Sequence, residues 1–218
     1  MFDRKEIKMK AKESLKGNFG AAIIISLVIL VLALIPTITD TILGDDSILA
    51  SVITVIIEVL TIFLSVGLIK FYMDVATKGK GEIKTLFWGS HLYLKAFLIS
   101  LLMGIAIILG TLLFIVPGII ISLMYSQVYY VMIDNPDMGV FECLQKSRDI
   151  MKGHKWEYFV FKLSFLGWYL LIPITLGLGY FYVVPYANTA YVNYYVDLVE
   201  YYKIHNGISD NIETDSNE

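Results

Sequence analysis

Residues 51–69, with the sequence SVITVIIEVLTIFLSVGLI, form an apolar run in which Glu58 is the one ionisable side chain. A bilayer core about 30 Å thick is crossed by a helix of about 20 apolar residues. The run therefore predicts a membrane-spanning helix that carries a carboxyl group near its midpoint. The composition of the whole chain agrees, because 57% of its 218 residues are hydrophobic, whereas soluble domains contain about 45–50%.

Apolar runs of similar length recur along the chain and predict six helical spans in three hairpins. The Pro-Gly pair of VPGI (116–119) and the glycines of TLGLG (175–179) divide two longer apolar blocks, because these residues favour turns. The predicted fold class is an all-α, polytopic transmembrane helical bundle. Residues 1–200 are predicted to form a single integral membrane domain, and 201–218 are predicted to form a polar, disordered C-terminal tail. The predicted spans are about 19–39, 48–69, 96–115, 117–133, 157–175 and 178–197.

Lysine and arginine residues gather in alternate connecting segments. The N-terminus and residues 70–95 and 134–156 are basic, whereas the loops at about 40–47, 115–118 and 175–179 contain no basic residue. Basic loops stay on the cytoplasmic side of a membrane. We therefore predict a multi-pass protein of the cell membrane with both termini in the cytoplasm. The first apolar run is too long for a signal peptide and has no small-residue cleavage site, so it is predicted to be a retained span.

Two polar segments, EIKMKAKESLKGN (6–18) and ECLQKSRDIMKGH (142–154), align without gaps, and each precedes a predicted span. Helical spacing places Ile7, Ala11 and Leu15 on one face of the first segment. We predict that both segments are short amphipathic helices at the inner membrane surface. The basic side chains that are predicted to contact anionic lipid headgroups are Lys10, Lys12, Lys16, Lys146, Arg148 and Lys152.

An aspartate ends three of the predicted spans, in FYMD (71–74), YYVMID (129–134) and YYVD (194–197). A carboxylate at a helix C-terminus opposes the helix dipole. Two explanations of these carboxylates are open. They pair with lysines of the surface helices and so tie the hairpins together, or they simply reach water.

Glu58 belongs to a stripe of polar side chains on one face of its helix. The residues at −7, −4, +3 and +7 from it are Ser51, Thr54, Thr61 and Ser65, which all carry hydroxyl groups. A charge in the middle of a bilayer costs a few kcal/mol or more, so this candidate polar face is predicted to face the bundle interior or water. Either it lines a cavity in which Glu58 binds a cation, a proton or a polar headgroup, or a protonated Glu58 hydrogen-bonds a neighbouring helix.

Other polar side chains lie at moderate depth in the predicted bundle. A face of span four is shared by Ser122, Ser126 and Tyr129, and a face of span six is shared by Asn188, Tyr191 and Tyr195. Three prolines have two possible explanations. They mark either broken helices, of the kind that transporters use, or ordinary turns and kinks. They are Pro117, Pro173 and Pro185.

The chain carries no signature of an enzyme. Cys143 is the one cysteine, so no intrachain disulfide can form, and the three histidines are far apart in sequence. No nucleophile motif, metal-ligand spacing or phosphate-binding loop occurs. We therefore predict a protein without catalytic residues, metal site or cofactor. The basic segments are explained by topology and by anionic lipid, so no nucleic-acid partner is predicted.

Several motifs together resemble those of one family of bacterial membrane proteins. They are LKGN (15–18), VPGI (116–119), DNP (134–136) followed by KSRDIMKGHKW (146–156), LSFLGW (163–168) and PYANTA (185–190). Over about residues 4–200 the chain resembles the integral membrane family called domain of unknown function 975. That family is distantly similar to the membrane domain of some glycerophosphodiester phosphodiesterases. Their catalytic domain is absent here, so the resemblance implies no hydrolase activity.

These observations lead to three hypotheses for the function. The main one is a non-enzymatic membrane scaffold or accessory subunit, which binds lipids and an unknown membrane protein partner through its basic surface helices. The alternative is a small transporter or export component with a polar path through Glu58. The third is a membrane-embedded enzyme that acts on lipid. A water-filled cavity at mid-bilayer favours the transporter, and a dry, packed centre favours the scaffold.

Overall fold

The computed structural model describes residues 2–44 and 46–207. Within these ranges the secondary structure is helical and contains no strand, which confirms the all-α fold class. The elements are α1 (Arg4–Lys16), α2 (Phe19–Leu43), α3 (Ile48–Lys78), a 3-10 helix (Ile83–Leu92), α4 (Tyr93–Leu113), α5 (Ile115–Met124), α6 (Val128–Asp134), α7 (Val140–Ile150), α8 (Lys155–Leu163), α9 (Leu166–Ile174) and α10 (Tyr180–His205). Helix α10 thus continues past the predicted start of the tail at 201, and residues 208–218 of that tail lie outside the described residues.

Five helical segments in the described part of the chain are long and apolar enough to cross a bilayer. They correspond to the first five predicted spans, and only a minority of their side chains are buried inside the bundle. Ile48 and Leu112, for example, are 83% and 77% exposed, as expected for side chains that lipid covers. By length and composition the chain is a multi-pass membrane protein. The five segments are Phe19–Leu43, Ile48–Lys78, Ile83–Leu113, Ile115–Asp134 and Lys155–Ile174.

Helix α10 corresponds to the sixth predicted span but is less apolar than the other five, because it carries several tyrosines and asparagines. It packs against α1, α2, α3 and α9, and Ala187, Tyr194, Tyr195 and Leu198 are almost fully buried. A helix that is covered by protein needs no surface suited to lipid, so its polarity does not exclude a position in the membrane. Six crossings therefore stay a prediction.

Two of the candidate spans are interrupted within their length. Residues 125–127 separate α5 from α6, and residues 164–165 separate α8 from α9. At each break a serine hydroxyl donates to a carbonyl three residues earlier, from Ser126 at 2.8 Å and from Ser164 at 2.5 Å, and so competes with the helical hydrogen bonds. Neither break falls at a proline, since the helices contain Pro117, Pro173 and Pro185.

Both predicted amphipathic segments form helices, α1 and α7. Ile7, Ala11 and Leu15 are buried on one face of α1, as their spacing predicts. Helix α1 packs against α10 and α3, so its apolar face is covered by protein and not by lipid. Helix α7 buries Cys143 and Ile150 in the same way.

Two glycines allow the 3-10 helix to lie close to α3. A Cβ atom on Gly67 would overlap the backbone of Leu86. A Cβ atom on Gly89 would come within 2.6 Å of a methyl carbon of Val66. The close approach of the two segments therefore depends on residues that have no side chain.

Gly67→Ala should destabilise the protein, because the added methyl group forces the 3-10 helix away from α3. Overpacking of this kind costs about 1–3 kcal/mol. The control is Gly104→Ala in α4, where no atom lies within 4 Å of the added Cβ atom and alanine raises the helix propensity. Thermal unfolding in detergent, followed by tryptophan fluorescence, compares the two variants. A Gly67→Ala protein as stable as the control would show that the close contact is absent.

Candidate functional site

Glu58 and Ser51 are exposed on the outer surface of the described bundle. Of the two surroundings expected for Glu58, the bundle interior is therefore wrong for the single chain, and water stays a prediction from the sequence. The reason is that α3 turns residues 53, 54, 57 and 61, which are half-buried, toward its neighbours. A cavity of about 460 Å³ beside α3 is lined by Val59, Ile62 and Phe63 of this helix but not by Glu58.

The hydroxyl residues of the stripe bond to their own helix. Ser51, Thr61 and Ser65 donate to carbonyls three or four residues earlier, at 3.2, 2.8 and 2.7 Å. The Thr54 hydroxyl is buried without a hydrogen-bond partner among the described residues. Bonds within the helix satisfy hydroxyl groups without a ligand, so three of the four positions have no need of one.

The three aspartates at the ends of spans have different partners. Asp197 of α10 lies 3.7 Å from Lys10 of α1, which confirms the predicted pairing with a surface helix at this position. Asp74 instead pairs with two lysines of its own helix, both at 2.9 Å. Asp134 accepts a hydrogen bond of 2.7 Å from the hydroxyl of Tyr195. Only one of the three therefore ties a surface helix to the bundle.

A basic pocket forms where the start of α1 meets the break between α8 and α9. Lys8 Nζ donates to the backbone carbonyl of Ser164 at 3.2 Å and lies 4.3 Å from the centre of the Phe165 ring. The lysine thus joins α1 to the interrupted span. The pocket has a volume of about 590 Å³ and is lined by Phe2, Asp3, Arg4, Lys5, Lys8 and Ser164.

The basic pocket has a net positive charge. Its one carboxylate, Asp3, caps α1 by accepting hydrogen bonds from the amides of Lys5 and Glu6, at 2.8 and 3.4 Å. In the ranges that the structure describes, Arg4, Lys5 and Lys8 have no carboxylate within ion-pair distance. Burial, and then the charge of Arg4, lower the pKa of Lys8. A bound anion would offset both effects, so the arrangement suits an anion.

The predicted lipid-contacting residues lie in different surroundings. Lys10 forms ion pairs with Glu6, at 3.0 Å, and with Asp197, and its hydrogen bond to Glu6 is the main cause of a raised pKa. Lys146 donates to the side chain of Asn135 at 3.3 Å. The contacts of these residues with lipid stay predictions. The exposed members of the set are Lys10, Lys12, Lys16, Arg148 and Lys152.

Sequence reasoning did not identify Arg4, Lys5 and Lys8 as a site. Their positive charges were used only to predict the topology, although Arg4 and Lys8 are four residues apart and therefore share a helix face. Their contact with Ser164 could not be inferred from that spacing, because the two segments are 156 residues apart.

Other chemistry is sparse in the described part of the chain. No group of three or more His, Cys, Asp or Glu side chains there could hold a metal ion. Cys143 is buried in α7, and burial raises the pKa of its thiol. A buried thiol with a raised pKa is a poor nucleophile. The basic pocket is thus the arrangement of charges that best fits a ligand.

Position 58 should be inaccessible to water, because it lies on the lipid-facing side of a candidate span. In a Cys143→Ser background, Glu58→Cys and the control Val55→Cys should both resist a membrane-impermeant maleimide in intact membranes. Both should react after unfolding in sodium dodecyl sulfate, which shows that the thiols are present. Reaction at 58 but not at 55 in intact membranes would reveal a water-filled path instead.

Comparison with known proteins gives a family and no named relative. No curated protein and no solved structure matches the chain. The distant similarity to the membrane domain of glycerophosphodiester phosphodiesterases therefore stays a prediction. A family model matches residues 1–121 and 112–201, which together include every helix of the bundle except the last turn of α10. The chain belongs to the family described as Protein of unknown function (DUF975).

Proposed function

We propose that the chain is a non-enzymatic scaffold or accessory subunit of the cell membrane, and that it holds anionic lipid headgroups at its inner surface. The basic pocket carries this proposal, because Arg4, Lys5 and Lys8 converge there beside an interrupted span without a carboxylate partner in the described residues. The five apolar helices are compatible with such a role.

A lipid phosphate group suits the geometry of the basic pocket. Arg4 offers a planar set of N–H donors that can bind two phosphate oxygens at once, whereas Lys5 and Lys8 act as point charges. Leu163 and Leu166, which are 51% and 53% exposed beside Ser164, offer an apolar surface to the acyl chains. Each basic residue near an anionic membrane contributes about 1 kcal/mol.

We also propose six crossings, with α10 as the sixth, and both termini in the cytoplasm. Lys10 of α1 pairs with Asp197 of α10, and the Phe2 ring lies 5.8 Å from the ring of Tyr201. The helix before the first span and the end of the last helix therefore lie together, which supports an even number of crossings. At 1.5 Å per residue, the 26 residues of α10 are about 39 Å long, enough to cross a bilayer.

Cysteine labelling tests this topology. In a Cys143→Ser background, Leu178→Cys lies between α9 and α10 and Asn206→Cys lies after α10. We expect an impermeant maleimide to label position 178 in intact cells and position 206 only after lysis, because α10 separates the two positions across the membrane. Labelling of both positions in intact cells would leave five crossings and refute the sixth.

Charge removal tests lipid binding by the basic pocket. The variant Arg4→Gln/Lys5→Gln/Lys8→Gln should weaken the binding of phosphatidylglycerol by on the order of 100-fold, from about 1 kcal/mol for each charge. The control is Lys78→Gln/Lys80→Gln/Lys84→Gln, which removes the same number of charges from exposed positions that are not predicted to contact lipid. The measurement is the rise in unfolding temperature when phosphatidylglycerol is added to protein in phosphatidylcholine nanodiscs. An equal loss in the two variants would mean that only overall charge matters and that no pocket binds lipid.

A small transporter or export component is the second candidate, and a different observation favours it. Spans of transporters are often discontinuous at the substrate site, and two candidate spans are interrupted here. Gln127, at the first break, is fully buried and its Oε1 atom has no hydrogen-bond partner in the described residues. The path in this proposal runs past the breaks, since Glu58 lies on the outer surface. Reaction of a cysteine at position 58 with maleimide in intact membranes would instead support a polar path through Glu58.

A further inference from the structure

Lys162 of α8 lies within the candidate span Lys155–Ile174. Its Nζ atom lies 5.0 Å from the centre of the Tyr158 ring and 5.6 Å from that of Tyr191. No carboxylate among residues 2–44 and 46–207 lies within ion-pair distance of this Nζ atom. The side chain is exposed on the outside of the bundle. An ammonium group in a membrane segment therefore has aromatic rings around it but no counter-charge.

One of the two rings beside Lys162, that of Tyr191, carries one of a pair of tyrosine hydroxyl groups. The hydroxyls of Tyr169 and Tyr191 lie 3.4 Å apart, so at least one can donate a hydrogen bond to a ligand. The Tyr158 side chain is buried. Phenol hydroxyls beside an ammonium group are the donors that a phosphate or carboxylate accepts.

The depth of Lys162 fits a headgroup of the inner leaflet. The residue is seven positions after the start of α8, which at 1.5 Å per residue is about 10 Å along the helix. Lysine side chains in helices extend toward the helix N-terminus, and the contact with Tyr158, four residues earlier, agrees with this direction. The Nζ atom therefore approaches the level at which α8 begins. Contact with aromatic rings stabilises a cation only in part, so an anion from the membrane would complete the site.

We propose that Lys162, with the hydroxyl groups of Tyr169 and Tyr191, binds the phosphate group of an anionic phospholipid of the inner leaflet. The exposure of Lys162 on the bundle surface favours lipid over dissolved phosphate as the source. This site uses other side chains than the basic pocket, although the Phe165 ring that Lys8 contacts lies 5.4 Å from the Tyr191 ring. The inference does not rest on lipid binding by the basic pocket.

Native mass spectrometry of detergent-purified protein can count the phosphatidylglycerol molecules that stay bound. Lys162→Gln should lose one of them, whereas the exposed control Lys84→Gln should lose none. Lys162→Arg should keep the lipid, since it keeps the charge. Tyr191→Phe keeps the ring but removes the hydroxyl and should weaken retention several-fold. Unchanged retention in Lys162→Gln would overturn the site, and in that case Lys162 only extends to the membrane surface.

Two further arms separate the sources of phosphate and the two sites. Inorganic phosphate is added to protein in phosphatidylcholine nanodiscs and followed by phosphorus NMR. Binding that requires Lys162 would support the phosphate chemistry but assign it to dissolved phosphate, and its absence would leave lipid as the source. Lys162→Gln is also combined with Arg4→Gln/Lys5→Gln/Lys8→Gln. If the combined variant loses as much lipid as the two variants together, two sites are supported. If the pocket variant alone already loses the lipid assigned to Lys162, the Lys162 site is overturned and the proposed function stays intact.

Discussion

Helix α10 can lie at the centre of the bundle because other helices keep its polar side chains away from lipid. Thr189, Asn193, Tyr194 and Tyr195 are buried, and α1, α2, α3 and α9 surround the helix. Polar groups are costly where they face hydrocarbon. The surrounding helices expose apolar side chains instead, which lipid covers at no such cost. The arrangement of the whole chain follows from this division between a polar centre and an apolar outside.

Helix α1 completes the cover of α10 and also creates the basic pocket. Its apolar face packs on the bundle, the Phe2 amide donates to Glu157 at 2.8 Å, and Lys10 pairs with Asp197. These contacts fix the side of α1 that carries Arg4 and Lys8 against the end of α8. The same contacts that bury the apolar face of α1 therefore hold two cations together. Packing and charge placement in this region have one cause.

The breaks in two spans connect the fold to both proposed lipid sites. The interruption after α8 lies at Ser164, where Lys8 is bound, and Lys162 lies just before it. A continuous span of apolar residues would offer no group that stabilises a cation. Here a serine that competes for backbone carbonyls and a set of aromatic rings give each lysine a partner within the protein. Neither lysine has a carboxylate partner in the described residues. Because its charge is not neutralised there, each site suits an anion.

The sequence by itself determined the positions of the apolar spans and of α1, because these depend on local properties. The length of each apolar run predicts five of the candidate spans, and the spacing of Ile7, Ala11 and Leu15 predicts the buried face of α1. Tertiary structure decided which side of α3 is covered, and so left Glu58 on the outside. It also decided that Lys8 meets Ser164. The side of a helix that is covered depends on its neighbours, and a contact between residues 156 positions apart depends on how the helices pack, so neither leaves a pattern in the local sequence.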